Sequence, residues 1–239
     1  MKSSTQNGLI ATGISFVVGM LILGFFLNNS VQTFRSFDRS VTVRGLAEQE
    51  HIADVVIWPV PFALASNNQE EIYLQLERNT ELVIEFLRDR GVEESEISVD
   101  VPVVTDRSAQ RWGGDTGSEF RYVASQSVTV YSNRVEEIRN VMRNIGDLGK
   151  QGVIIGSDDY QFQTEYLFTR LNDIKPEMIE IATIEARKVA EKFAEDSDSR
   201  LGKIKTASQG QFSISDRDRN NPHIKNVRVV STIEYYLAD

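Results

Sequence analysis

Cysteine is absent from the 239 residues. That excludes disulfides, thiolate nucleophiles, iron–sulfur clusters, Cys-ligated zinc and a lipid anchor on Cys. The lack suits an oxidising compartment without demanding one. Only two histidines occur, His51 and His223, so a His-rich metal site is excluded as well. Acidic residues are missing from the first 35 positions, although the chain holds 35 of them against 26 Lys and Arg. The formal charge is −9; Lys2 and Arg35 are the only charged side chains in that first stretch, so the remainder carries −11. Such a surface does not compete for phosphates, and nucleic acid is not an expected partner. Anionic lipid is not one for the soluble part either.

The first stretch has the opposite character. After a short tail over residues 1–7, residues 8–27 read GLIATGISFVVGMLILGFFL, twenty positions without a charge. At about 1.5 Å per residue they span about 30 Å, the thickness of the hydrocarbon core. A cleaved signal peptide is the rival reading. Its apolar core is shorter and ends in a small-x-small site, whereas Asn28-Asn29-Ser30-Val31-Gln32 follows here. The expectation is one uncleaved N-terminal transmembrane helix. Arg35, Arg39 and Arg44 stand on one side of it and Lys2 on the other, so charge alone does not favour export of the domain. Ala11, Ser15 and Gly19 fall four apart on one helix face, a small-residue stripe suited to close helix approach. Phe16, Leu21 and Leu23 lie on the opposite side, suited to lipid.

Residues 28–40 form a polar connector, after which a period of two begins. Val41, Val43, Gly45 and Ala47 alternate with Thr42, Arg44, Leu46 and Glu48 as a strand, and 53–64 is a second, nearly all apolar one. Pro59 and Pro61 both lack their N–H on one edge of it, so that edge is expected to be unpaired or bulged. Asn68, with Glu71 three residues on, opens a helix whose stripe is Ile72, Leu76, Val83, Phe86 and Leu87, ended by Gly91. Strands follow over 97–105 and 120–131, joined by the loop 107–118. Asn133 and Glu136 repeat the Asn-x-x-Glu start of a linking helix over about 133–149. A strand-like run covers 153–166. The longest helix runs from about 172 to 196, with Met178, Ile181, Ala182, Val189, Ala190 and Phe193 as its buried face. Strands over 203–214 and 226–237 flank the polar loop 215–225. The fold class is α+β. The order suggests two βαββ-type units, about 41–132 and 150–239, within one domain over 41–239; a single mixed sheet without internal symmetry is the alternative.

Several segments in this order resemble the SIMPL domain family (DUF541). They are Val43-Arg44-Gly45-Leu46-Ala47-Glu48, Ala53-Asp54-Val55-Val56-Ile57-Trp58, Phe86-Leu87 with Gly91, and Ile97-Ser98-Val99. Glu185-Ala186-Arg187-Lys188-Val189-Ala190-Glu191-Lys192-Phe193-Ala194, Leu201-Gly202-Lys203-Ile204 and the strand from Val227 to Tyr235 complete the set. No one motif is a chemical signature; the order and spacing carry the likeness, over about residues 41–237. The resemblance implies an exported bacterial domain, periplasmic or at the membrane surface, built of two βαββ-type units. It implies assembly into large rings for some members and a loose link to envelope or oxidative-stress tolerance. It supplies no catalytic residue. It also decides the orientation: a single pass of the bacterial inner membrane with the domain in the periplasm or outside. Many relatives carry a cleaved signal peptide, and the long run here departs from that.

Searches for chemistry return little. Gly146-Asp147-Leu148-Gly149-Lys150 places its first glycine two residues too close for a phosphate loop, and Rossmann, zincin, nucleophile-elbow and Ser-x-x-Lys patterns are absent. Asp216-Arg217-Asp218-Arg219-Asn220 opens like a calcium loop, but Asn221 and Val227 stand where Gly and Glu are required. It reads as a hydrated hairpin loop, and Ser157-Asp158-Asp159 as a strand-edge loop. His51 and His223 sit near turns and read as solvated. Trp58 belongs to the core. Trp112, in a polar loop tip, is a candidate contact residue, and Phe212 is a weaker one. No catalytic residue, metal ligand or cofactor is expected. The reading is therefore a non-enzymatic anchored protein that self-associates as a homo-oligomer and binds the membrane through 8–27. An envelope hydrolase using a carboxylate pair and a ring-shaped chamber or pore component are the alternatives.

Intact-mass measurement of the protein from the membrane fraction should find the N-terminus retained. A product beginning between Phe26 and Ser40 would mean a cleaved leader.

Overall fold

A computed structural model describes residues 39–109, 120–156 and 162–238, together with Gly19, Met20, Leu23 and Gly24. The mixed α+β architecture holds two antiparallel sheets. The transmembrane helix expected over 8–27 lies almost wholly outside the described residues, as do Ala11 and Ser15. The elements, in chain order, begin with β1 (Ser40–Ile52), β2 (Val55–Ser66), α1 (Gln69–Asp89), β3 (Ile97–Val99), β4 (Val103–Asp106) and β5 (Tyr122–Ser132). They continue with α2 (Val135–Met142), α3 (Gly146–Lys150), β6 (Glu165–Leu167), α4 (Leu171–Asp196), β7 (Arg200–Gln209), β8 (Ser213–Asp216) and β9 (Ile224–Ala238). Contacts divide the chain into two compact units. One is Met1–Glu48, Ile174–Ser213 and Arg228–Asp239; the other is Gln49–Asp173 and Ile214–Val227.

The second unit is built on the sheet β3-β5-β2-β6, with β4 also pairing with β5. Antiparallel pairing of β2 and β5 runs unbroken from Val56↔Ser132 to Ser66↔Tyr122. Alternation on β2 sends Val56, Trp58, Val60 and Phe62 inward, where they meet Ile72, Leu76, Val83, Phe86 and Leu87 of α1, Ile138 and Val141 of α2 and Leu148 of α3. The stripe of α1 therefore lies where its periodicity puts it, whereas the linking helix expected over 133–149 is broken into α2 and α3. On the other edge of β2, β6 pairs only with Val55–Ile57. Beyond the two prolines that edge is next used where Gly156 N donates to Pro61 O (3.2 Å) and Ala63 N to Ile154 O (3.3 Å). The missing donors of Pro59 and Pro61 explain the gap between.

Three expectations are corrected here. The strand over 97–105 is broken into β3 and β4 around Pro102. The run 153–166 is no continuous strand, because it holds only a bridge at Ile155 and the three-residue β6 among its described residues. The helix starts also differ from the reciprocal Asn–Glu box. Asn68 Oδ1 does accept from Glu70 N (2.9 Å) and Glu71 N (3.4 Å). Glu71, however, receives the Ser66 hydroxyl (2.7 Å), and that hydroxyl accepts from Asn68 N (3.0 Å). Asn133 does not cap α2. Its N-cap is Arg134, which makes no side-chain cap bond, and Arg134 N donates to Ser132 Oγ (3.0 Å). Ser132 in turn donates to Glu96 Oε1 (2.6 Å). The β2–α1 and β5–α2 junctions thus each use a buried serine hydroxyl as a relay between a backbone N–H and a carboxylate.

In the first unit the sheet order is β1-β9-β7, and α4 packs on β1 and β9. The buried face of α4 is Met178, Ala182, Ala186, Ala190 and Ala194. Val189 and Phe193, expected inside, are 40% and 56% exposed. The reason lies on β1. A Cβ added to Gly45 would stand 1.8 Å from Ala182 O and 2.5 Å from Ala186 N. The helix backbone rests on the strand backbone there, and only methyl groups fit between them.

Gly45→Ala should therefore destabilise the domain by about 3 kcal/mol, the upper range of overpacking, because rigid backbone and not a side-chain end must move. Gly146→Ala, where nothing lies within 4 Å of an added Cβ, serves as the control and should cost nothing. Denaturant unfolding of both variants checks this.

Candidate functional site

Two cavities open among the described residues of the second unit and bear on the search for a site. The larger, about 600 Å³, opens between the turn at Ile52–Val55, the start of α2 at Asn133–Glu136, and Thr169–Arg170. Its acid Asp54 is tied down: Thr169 donates from N (2.7 Å) and from its hydroxyl (2.8 Å), and Arg170 Nε stands 3.3 Å away. Burial pushes the Asp54 carboxyl up, but these donors outweigh it and hold it below the usual range. The second acid, Glu136, accepts from Arg139 Nη1 at 2.9 and 3.0 Å. The cleft is electrostatically balanced, with its carboxylates committed to protein cations.

Behind Glu136 stands His223, which is buried. Its Nε2 is 4.0 Å from Glu136 Oε1, the Tyr166 ring meets it edge-on at 6.0 Å, and its Nδ1 finds no hydrogen-bond partner. Its backbone oxygen accepts from Ala53 N at 2.8 Å. Burial, helped by the Arg139 guanidinium, pushes the imidazole pKa down. His51 is half-buried and stacks on Phe168, ring centroids 5.1 Å apart. Neither histidine is the solvated turn residue that its position suggests.

The smaller cavity, about 420 Å³, lies along β2 and β5 between Pro61, Ala63, Val101, Val103, Gly156 and Phe162. Val101 is 85% exposed at its rim. Among the described residues, no three His, Asp or Glu side chains are placed to share a metal ion. In the calcium-like segment, Asp216 pairs with Lys225, while Asp218 accepts from Asn220 N (2.9 Å) and Asn221 N (3.0 Å). Those carboxylates fold the hairpin turn on themselves.

Trp112 and the Ser157–Asp159 segment lie outside the described residues. Phe212 is half-buried, and the Lys175 ammonium stands 5.9 Å from its ring centroid. Gly19 is helical and exposed. Among the described residues no helix is long and apolar enough to cross a membrane.

Residues 41–231 match the family described as SIMPL, protein of unknown function (DUF541). The chain belongs to the SIMPL family. No curated protein matches it. The match runs from β1 into the first half of β9, and so includes the SIMPL chain's cleft at Asp54 and Glu136 as well as the packing of α4 on β1.

The sign of the His223 effect is fixed. Its folded pKa lies below the ordinary 6.5, so the unfolded chain binds the proton first. Stability is full above about 6.5 and falls as pH drops from there toward the folded value. Thermal unfolding of wild type between pH 7 and 5 should show this slope, and His223→Gln should flatten it. Equal slopes would place the proton uptake elsewhere.

Proposed function

We propose that this SIMPL chain is a non-enzymatic assembly module, held at the bacterial inner membrane by residues 8–27 with its domain in the periplasm or outside. Its partners are further copies of itself, and its role lies in tolerance of envelope or oxidative stress, as the family resemblance implies. We read the domain as two βαββ-type units. In one, β2, α1, β3 with β4, and β5 follow in chain order. In the other, over about 150–239, β6, α4, β7 and β9 follow in the same order.

The observation that carries self-association is the outer surface of α4. Val189 and Phe193, four residues apart on one flank of the helix, are 40% and 56% exposed in a strongly acidic domain. Large apolar residues grouped on a surface mark contact sites. The carboxylates support the non-enzymatic side. Acid–base work by a carboxylate pair needs one member raised toward neutrality. Among the described residues, each carboxylate displaced from its ordinary value (Asp54, Glu96, Asp106, Asp147, Asp218 and Glu234) is displaced downward by its donors.

Sedimentation of the full chain in detergent tests the proposal. Because −11 repels itself, association driven by apolar contact should be firmer at high salt than at low salt. A species larger than a monomer is expected at micromolar concentration. A strict monomer at both salt concentrations would overturn it.

A further inference from the structure

The hydrogen-bonding direction of β1 defines what can be added to it. Leu237 N donates to Arg39 O at 2.9 Å, so Arg39 faces β9. The same parity returns at Ala53, whose N–H reaches His223 O. In a strand the N–H and C=O of one residue point to the same side and alternate along the chain. Odd residues of β1 therefore bond to β9, while Arg44, Leu46 and Glu48 turn their backbone groups to the outer edge. Among the described residues no strand pairs with that edge. It has neither proline nor lysine, and the charges it carries, Arg44 and Glu48, are of opposite sign on either side of Leu46. The edge strand β7, by contrast, holds Lys203 and Lys205 and two register shifts.

From this we infer that a second copy of this chain adds to that edge, β1 against β1 and antiparallel, on a two-fold axis through Leu46. The inference rests on the self-association proposed above and names its interface. In this register Leu46 meets Leu46 of the partner subunit as a hydrogen-bonded pair. Arg44 of each copy meets Glu48 of the other, so two opposite-charge pairs flank one apolar pair. Centring the axis on Arg44 or Glu48 instead would set like charges face to face. All three side chains lie on the exposed side of the sheet, away from α4.

A second observation on α4 points to the same edge. Arg187 and Glu191 stand near enough to Tyr235 of β9 to act on its hydroxyl electrostatically. Residues two apart on a helix lie about 200° apart. Val189 and Phe193 therefore fall on the flank of α4 opposite Arg187 and Glu191, turned away from Tyr235. Pairing β1 with β1 would bring two such flanks together and cover the apolar residues that the first unit leaves in water.

The natural chain has no cysteine, which makes cross-linking a clean test. In a hydrogen-bonded antiparallel pair the Cα atoms are about 5.5 Å apart, within disulfide range. The full chain carrying Leu46→Cys, in detergent with a mild oxidant, should give a covalent dimer in high yield. Ile204→Cys, 50% exposed on β7, should not. Arg44→Glu should weaken association about tenfold, and adding Glu48→Arg should restore it. Phe193→Ser should weaken it without loss of folded circular dichroism. If the chain sediments as an oligomer but Leu46→Cys stays uncross-linked, or Ile204→Cys links equally well, the interface is not β1 and only this inference falls. A monomer throughout removes the self-association proposal as well.

Discussion

The contact between the α4 backbone and the β1 backbone at Gly45 governs the first unit. With an added Cβ only 1.8 Å from Ala182 O, no other residue fits that strand position without displacing the helix. Once the helix lies so close, the part of its buried face from Ala182 onward admits only small side chains, and Ala182, Ala186, Ala190 and Ala194 recur at intervals of four, with Met178 buried before them. Methyl groups bury little area each. The large apolar residues of α4 are then forced to the flanks, where Val189 and Phe193 stay in water. One glycine thus links strand geometry to the apolar surface that calls for a partner.

The second unit solves the same problem by size. Trp58, Phe62, Ile72, Phe86 and Leu87 fill the space between sheet and helices. Its polar cost falls at the strand-to-helix junctions, where Ser66 and Ser132 are buried yet fully engaged between a backbone N–H and a carboxylate. The acid beyond Ser132, Glu96, also pairs with Arg134. Burial would raise that carboxyl, but Arg134 and Ser132 outweigh it and keep it charged. Because such acids remain ionised near neutrality, the domain keeps its negative charge. Any association between copies must then rest on apolar area and backbone pairing rather than on net attraction.

Where large residues meet large residues, the sequence pattern is a faithful guide. The stripe of α1, the cap at Asn68, the core position of Trp58 and the interrupted edge at Pro59 and Pro61 all follow from local periodicity and the chemistry of proline and asparagine. The face of α4 does not, because its ranking was decided by a glycine some 140 positions earlier in the chain. Hydrophobicity alone favours Val189 and Phe193 over Ala186, and only the backbone contact reverses that order. His223 was hidden for a related reason. It sits in a polar stretch between Asn220 and Lys225, and its burial depends on Tyr166 and on the start of α2. The junction serines carry a faint signal, since Ser-Asn follows both β2 and β5, but their carboxylate partners lie at different distances along the chain.

The alternation of a strand ties two of its properties together, and on β1 this has a consequence. The residues whose backbone groups face β9 are those whose side chains lie beneath α4, namely Val43, Gly45 and Ala47. The residues left over, Arg44, Leu46 and Glu48, turn their backbone groups to the open edge and their side chains to the exposed face of the sheet. Selection on the inner set is set by packing, with Gly45 the tightest position. The outer set is free of that constraint, and what it displays is a charge of each sign placed symmetrically about an apolar residue. A surface needed only for solubility has no reason to be symmetric about a point, whereas a strand that meets its own copy across a two-fold axis does.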